Sequence, residues 1–192
     1  MSPAAAAAVA AAVVAGAMVA ARASAPPPQP TRAAGLHAFE IIRGVLQHPR
    51  CRNCHAAGDS PLQGDDGRLH AMNVRRGPDG RGEVGERCAT CHGLANPPDS
   101  YGRAQPPGVT TGWRMPTPSN PLVFADTTPP ALCQLIRTRD RHAPAALRRY
   151  LDDPLVTWAW TPGFDRRPIP TPHADFLAAF DTWVRAGAPC PD

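Results

Sequence analysis

Cys51-Arg52-Asn53-Cys54-His55 and Cys88-Ala89-Thr90-Cys91-His92 set the same C-x-x-C-H spacing twice in one chain. Two thiols three residues apart can close on the vinyl groups along one edge of a porphyrin. A histidine directly after the second thiol can then turn its imidazole to the iron, which is the attachment pattern of c-type haem. The expectation is two covalently bound haem c groups, with Cys51, Cys54, Cys88 and Cys91 as attachment thiols and His55 and His92 as proximal iron ligands. A structural zinc site built from two C-x-x-C pairs, or plain disulfides, are the rival readings. The stretch from His55 to Arg87 is longer than the usual zinc-ribbon spacer, and zinc does not require a histidine after each pair.

Each iron then needs a sixth ligand or an open position, and imidazole or thioether are the usual choices, thioether raising the potential. His70, between the two motifs, can reach either distal face. His48 lies three residues before Cys51 and cannot easily reach the far side of the first haem, so as a ligand it would serve the second. Met115, in Trp113-Arg114-Met115-Pro116, and Met72 are the alternative distal ligands. His37, His142 and His173 read as surface residues. Cys133 and Cys190 are left over, and an even remainder in an oxidising compartment predicts a disulfide, with two buried thiols as the alternative.

The elements that must position these residues are few. Residues 1–25 contain an Ala- and Val-rich run ending near Ala-x-Ala sequences, as in a secretory signal peptide. No Arg or Lys precedes the run, so an uncleaved anchor is the alternative, and membrane association would depend on it. Either places the remainder outside the cytoplasm, and the periplasm is the expected compartment. Residues 26–34 are a Pro-rich tether, and residues 35–192 are one domain. Leu36, Phe39, Ile42, Val45 and Leu46 form a helical stripe that ends at Pro49 and is expected to pack on a haem face. Further helices are predicted from Thr128, over 143–151, and from a Thr171 cap with Phe176, Leu177, Phe180 and Trp183 or Val184 inside and Gly187 as the stop. Between them, residues 56–86 and 93–127 are rich in Gly, Pro, Asp and Arg, with Gly77–Gly82 as a tight turn.

With 25 prolines and few aromatic residues, such a chain has difficulty offsetting the entropy of ordering from its own apolar side chains. Two porphyrins would act as core as well as chemistry. The fold class is therefore mainly α with long irregular loops, a single dihaem cytochrome c domain wrapped around two haems. The net charge of +4 comes from Arg alone, without any Lys. These Arg are dispersed and lack a nucleic-acid motif, which argues against nucleic-acid binding; several suit haem propionates.

Several segments together carry a resemblance: Val45-Leu46-Gln47-His48-Pro49-Arg50-Cys51, Gly64-Asp65-Asp66 leading to His70, Arg76-Gly77-Pro78-Asp79-Gly80, Asp153-Pro154-Leu155-Val156 with Trp158 and Trp160, and Ala186-Gly187-Ala188-Pro189-Cys190-Pro191. Over residues 36–191 the chain resembles small exported dihaem c-type cytochromes, often labelled as a subunit of isoquinoline 1-oxidoreductase, a molybdenum hydroxylase. No molybdopterin or iron–sulfur ligand set is present in the chain itself. The resemblance therefore implies an electron-transfer protein whose redox partner is such a hydroxylase or another cytochrome. The alternative is a peroxidase-like dihaem enzyme with one open iron and a base such as Glu83.

Overall fold

The computed structural model describes residues 28–138 and 144–192. The expected signal peptide, the first residues of the tether and His142 lie outside the described residues. Helix α1 (Arg32–Leu46) starts where the Thr31 hydroxyl accepts the Ala34 N–H at 3.1 Å, satisfying one of the orphan amides of the first turn. Its apolar stripe buries Ala38, Phe39, Ile42, Val45 and Leu46. That stripe packs on α6 (His173–Arg185) and on α3 (Pro129–Thr138). The approach is close: a Cβ at Gly35 would stand 2.6 Å from Ala186 Cβ and from Pro189 Cγ.

Phe39, Phe176, Phe180 and Trp183 form the centre of this core with Leu132 and Ile136. Full burial of each large side chain contributes about 1.5–3 kcal/mol. Helix α6 begins at His173, after Pro172, rather than at the Thr171 cap the sequence favoured. It ends at Gly187, which takes φ 83°, while Gly187 N–H and Ala188 N–H donate back to Val184 O and Trp183 O at 3.0 and 2.8 Å. This paired closure caps the last carbonyls and turns Ala188 into the core. A disulfide joins Cys133 of α3 to Cys190 beyond α6, with Cα atoms 5.5 Å apart.

The remaining helices are short: α2 (Pro49–Arg52), α4 (Pro144–Arg148) and α5 (Pro154–Thr157). Among the described residues, one two-stranded hairpin pairs β1 (Leu62–Gln63) with β2 (Arg68–Leu69), Leu62 opposite Leu69 and Gln63 opposite Arg68. The long segment from α2 to α3 is otherwise turns and one-turn 3-10 helices, and from Arg52 to Pro121 it contributes no residue to the helical core cluster. Among the described residues, no helix is long and apolar enough to cross a membrane.

Candidate functional site

The two C-x-x-C-H motifs fold alike. In the first, Cys54 N–H and His55 N–H both donate to Cys51 O at 3.2 Å. In the second, Cys91 N–H and His92 N–H donate to Cys88 O at 3.2 and 2.9 Å. One helical turn therefore sets the two thiols of each pair on one side, since residues three apart are neighbours on a helix surface, and starts the histidine just beyond them. Pro49 at the first position and His48 as N-cap start the first turn, with His48 Nδ1 accepting the Arg50 N–H at 3.3 Å.

Each motif histidine is then held by a carbonyl from a later, proline-flanked segment. His55 Nδ1 lies 2.7 Å from Leu122 O, and His92 Nδ1 lies 2.7 Å from Pro107 O. A carbonyl oxygen only accepts, so both Nδ1 atoms carry the proton and in the neutral ring the lone pair is on Nε2. That is the tautomer a ligating imidazole presents, with its ring orientation fixed from behind. The clasps are doubled by the backbone. Phe124 N–H and Ala125 N–H donate to His55 O, and Val109 N–H donates to Gly93 O at 3.1 Å. Phe124 also stacks on the His55 ring, centroids 4.1 Å apart at 11°. Around His92, Trp113 packs at 5.0 Å and its Nε1–H donates at 2.6 Å to the same Pro107 carbonyl. Gly108 is obligatory there, because a Cβ would collide with the Ala95 carbonyl.

Cys51, Cys54, Cys88 and Cys91 form no disulfide. Burial pushes Cys51 up to about 12 and Cys54 up to about 11, with the neighbouring Cys54 and Cys88 sulfurs, respectively, adding to the effect. Cys88 is also raised, again mainly by burial. Reactive C-x-x-C pairs of thiol–disulfide exchange are depressed instead, the opposite direction from Cys51, Cys54 and Cys88. Among the described residues, no three His, Cys, Asp or Glu side chains are grouped so as to hold a metal ion between them. Burial lowers His92 and His48 below the ordinary imidazole value.

The candidate distal ligands are placed very differently. His70, half-buried, follows β2; its Nδ1 faces Ala71 O at 2.8 Å and its ring centre lies 6.1 Å from that of His92. His48 is half-buried with its Nδ1 engaged in the α2 cap. Met115 is buried, its N–H donating to Gly80 O at 2.7 Å, whereas Met72 is 84 % exposed. Glu83 and His37 are exposed. His173, read from the sequence as a surface residue, is instead half-buried between Trp160 and Phe176, with its Nε2 3.0 Å from Leu151 O.

Buried cations flank the site. Arg50 pairs with Asp65, and Arg76 donates to Gly58 O at 2.6 Å and to Ala56 O at 3.3 Å. Their Nε atoms, with that of Arg52, have no hydrogen-bond partner among the described residues. The carbonyl clasps have no side-chain signature in the sequence; only Pro106-Pro107 and Pro121 mark their segments. Comparisons with family models, with curated proteins and with solved structures give no match to this chain.

Proposed function

We propose that this chain is an exported dihaem c-type cytochrome that transfers electrons and performs no substrate chemistry of its own. The observation that carries the reading is the duplicated turn in which thiols three apart precede a histidine whose Nδ1–H is tied to a carbonyl, at His55 and again at His92. The residues fit the group. Cys51 and Cys54, and Cys88 and Cys91, would hold the two porphyrins by thioether bonds, each S–H adding across one vinyl group. His55 and His92 would supply the proximal nitrogens, and His70, His48, Met115 and Met72 are the pool of distal ligands. When bound, haem supplies reversible one-electron iron chemistry, whose potential depends on axial ligands and burial.

The chain's own part is to hold and tune. Leu122 O and Pro107 O fix the imidazoles and raise their basicity. Phe124 and Trp113 shield the two rings from water. The buried guanidinium groups of Arg50 and Arg76 offer positive charge to propionates. Export to the periplasm accords with the Ala-rich residues 1–25 and with the Cys133–Cys190 bridge. The partner on this reading is a second redox protein, either a molybdenum hydroxylase or another cytochrome.

Intact mass and the reduced absorption spectrum of protein matured in a c-type assembly host test the proposal. Two added haem masses are expected, falling to one in Cys51→Ala/Cys54→Ala and in Cys88→Ala/Cys91→Ala. A matured chain carrying no haem mass overturns it.

A further inference from the structure

His70 is the candidate ligand whose placement says most. It belongs by sequence to the loop that leaves the first motif, and it is anchored there. Leu62 N–H donates to Asn53 O and Asn53 Nδ2 donates to Gly64 O, both at 2.8 Å, so a residue inside the first C-x-x-C pair grips the hairpin. The Arg50–Asp65 ion pair adds a second grip. His70 N–H donates to Pro61 O at 3.0 Å and Ala71 N–H to Gln63 Oε1 at 3.1 Å, which fixes the end of β2. Yet the ring faces the second motif, with its centre 6.1 Å from that of His92 and the planes inclined by 53°.

Two imidazoles bound through nitrogen to opposite sides of one metal, at the ~2.0–2.1 Å usual for such bonds, have ring centres about 6 Å apart. Both rings also have Nδ1 committed to a carbonyl oxygen, Ala71 O for His70 and Pro107 O for His92, so both keep the lone pair on Nε2. Beyond His70 the backbone is strained: Met72 and Asn73 take φ 66° and 53°, in the left-handed region that non-glycine residues seldom enter. Such strain gathers where a structure holds a ligand.

We propose that His70 is the second axial ligand of the haem carried by Cys88, Cys91 and His92, delivered across from the first motif by the β1–β2 hairpin. This rests on the dihaem reading and adds that the second haem is bis-histidine. The two attachment sites are thereby interlocked, because the ligand of one is built on the turn of the other. Met72, two residues on, points to solvent and is not that ligand.

Electron paramagnetic resonance of the oxidised, fully matured protein tests it, with intact mass recorded on every variant. In His70→Ala both haem masses are expected to remain while one of the two ferric signals turns from low-spin to high-spin and returns to low-spin with added imidazole. The signal that changes must be the one altered by His92→Met and untouched by His55→Met. His70→Met serves where the alanine variant does not accumulate: it should give the charge-transfer band of a His–Met iron and raise the potential of that haem alone. Two unchanged low-spin signals with both masses present overturn the ligand assignment and leave the dihaem reading standing. So does a change confined to the haem that His55→Met reports. Absence of haem mass in the wild type is the separate failure of the dihaem reading.

Discussion

The helical core and the motif-bearing segment of this chain are stabilised in different ways. In the core, α1, α3 and α6 bury aromatic and branched side chains against one another, and Trp183 and Phe39 are fully enclosed. In the segment from Asn53 to Pro121, Ala56, Val109 and Met115 are buried, but Leu69, Met72, Val84, Leu94 and Tyr101 are all more than two-thirds exposed. Order there comes from backbone hydrogen bonds, left-handed glycines and ion pairs. On the dihaem reading, the difference teaches where the haems would complete the fold. The core closes on its own side chains, while the motif segment presents apolar surface that has no protein to cover it.

The largest effect expected from this contrast comes from withholding haem. In the unattached chain, amides of α1, α3 and α6 should keep their protection from hydrogen exchange, while those from Asn53 to Pro121 exchange rapidly and become protected on maturation. Uniform protection of both regions in the unattached chain would break the contrast. Next, Trp183→Ala removes the largest fully buried side chain and should cost about 3–5 kcal/mol in denaturant unfolding. The spectra of those molecules that remain folded and loaded should not change. A smaller loss, about 2–4 kcal/mol, is expected for Cys133→Ala/Cys190→Ala, which opens a bridge between residues 57 apart; it too should leave the spectra alone.

Two local changes sharpen the other side of the contrast. Trp113 and His92 share the Pro107 carbonyl, so Trp113→Phe should strengthen the His92 Nδ1–H bond, raise the basicity of the imidazole and lower the potential of the second haem. Redox titration with the first haem as internal reference reads the shift, and an unchanged or raised potential contradicts this role. The smallest effect concerns Asp79. The Arg81 N–H holds its carboxyl below the ordinary 3.8, helped by Arg87. A carboxyl depressed in the folded state stabilises that state above its ordinary value, and the contribution is lost as pH falls through the lowered one. The Arg81 amide, which donates to Asp79 Oδ1, should therefore lose protection below pH 3.8 in the wild type and already at neutral pH in Asp79→Ala, which removes the acceptor.

How much of this was legible in the chain differs from residue to residue. The stripe Phe39, Ile42, Val45 declared a helix and its buried face, because periodicity alone selects a face. It did not declare α6 as the partner, since any apolar surface satisfies the same stripe. The Gly187 stop was readable because a left-handed residue there favours glycine. The hairpin was not, because two-residue strands leave no alternation to read. His173 looked like a surface residue until Trp160 and Phe176 closed around it.

For the candidate site, sequence by itself determined the chemistry on offer: four thiols in two pairs, each followed by an imidazole, and a small pool of further His and Met residues. Covalent spacing is a local property, so the repeated C-x-x-C-H could be read directly. Only the tertiary structure decided which carbonyls hold the His55 and His92 rings and that the His70 ring stands against His92. Those relations join segments up to 67 residues apart. They are set by how the chain returns on itself, and a backbone carbonyl, being common to every residue, leaves no mark in the sequence.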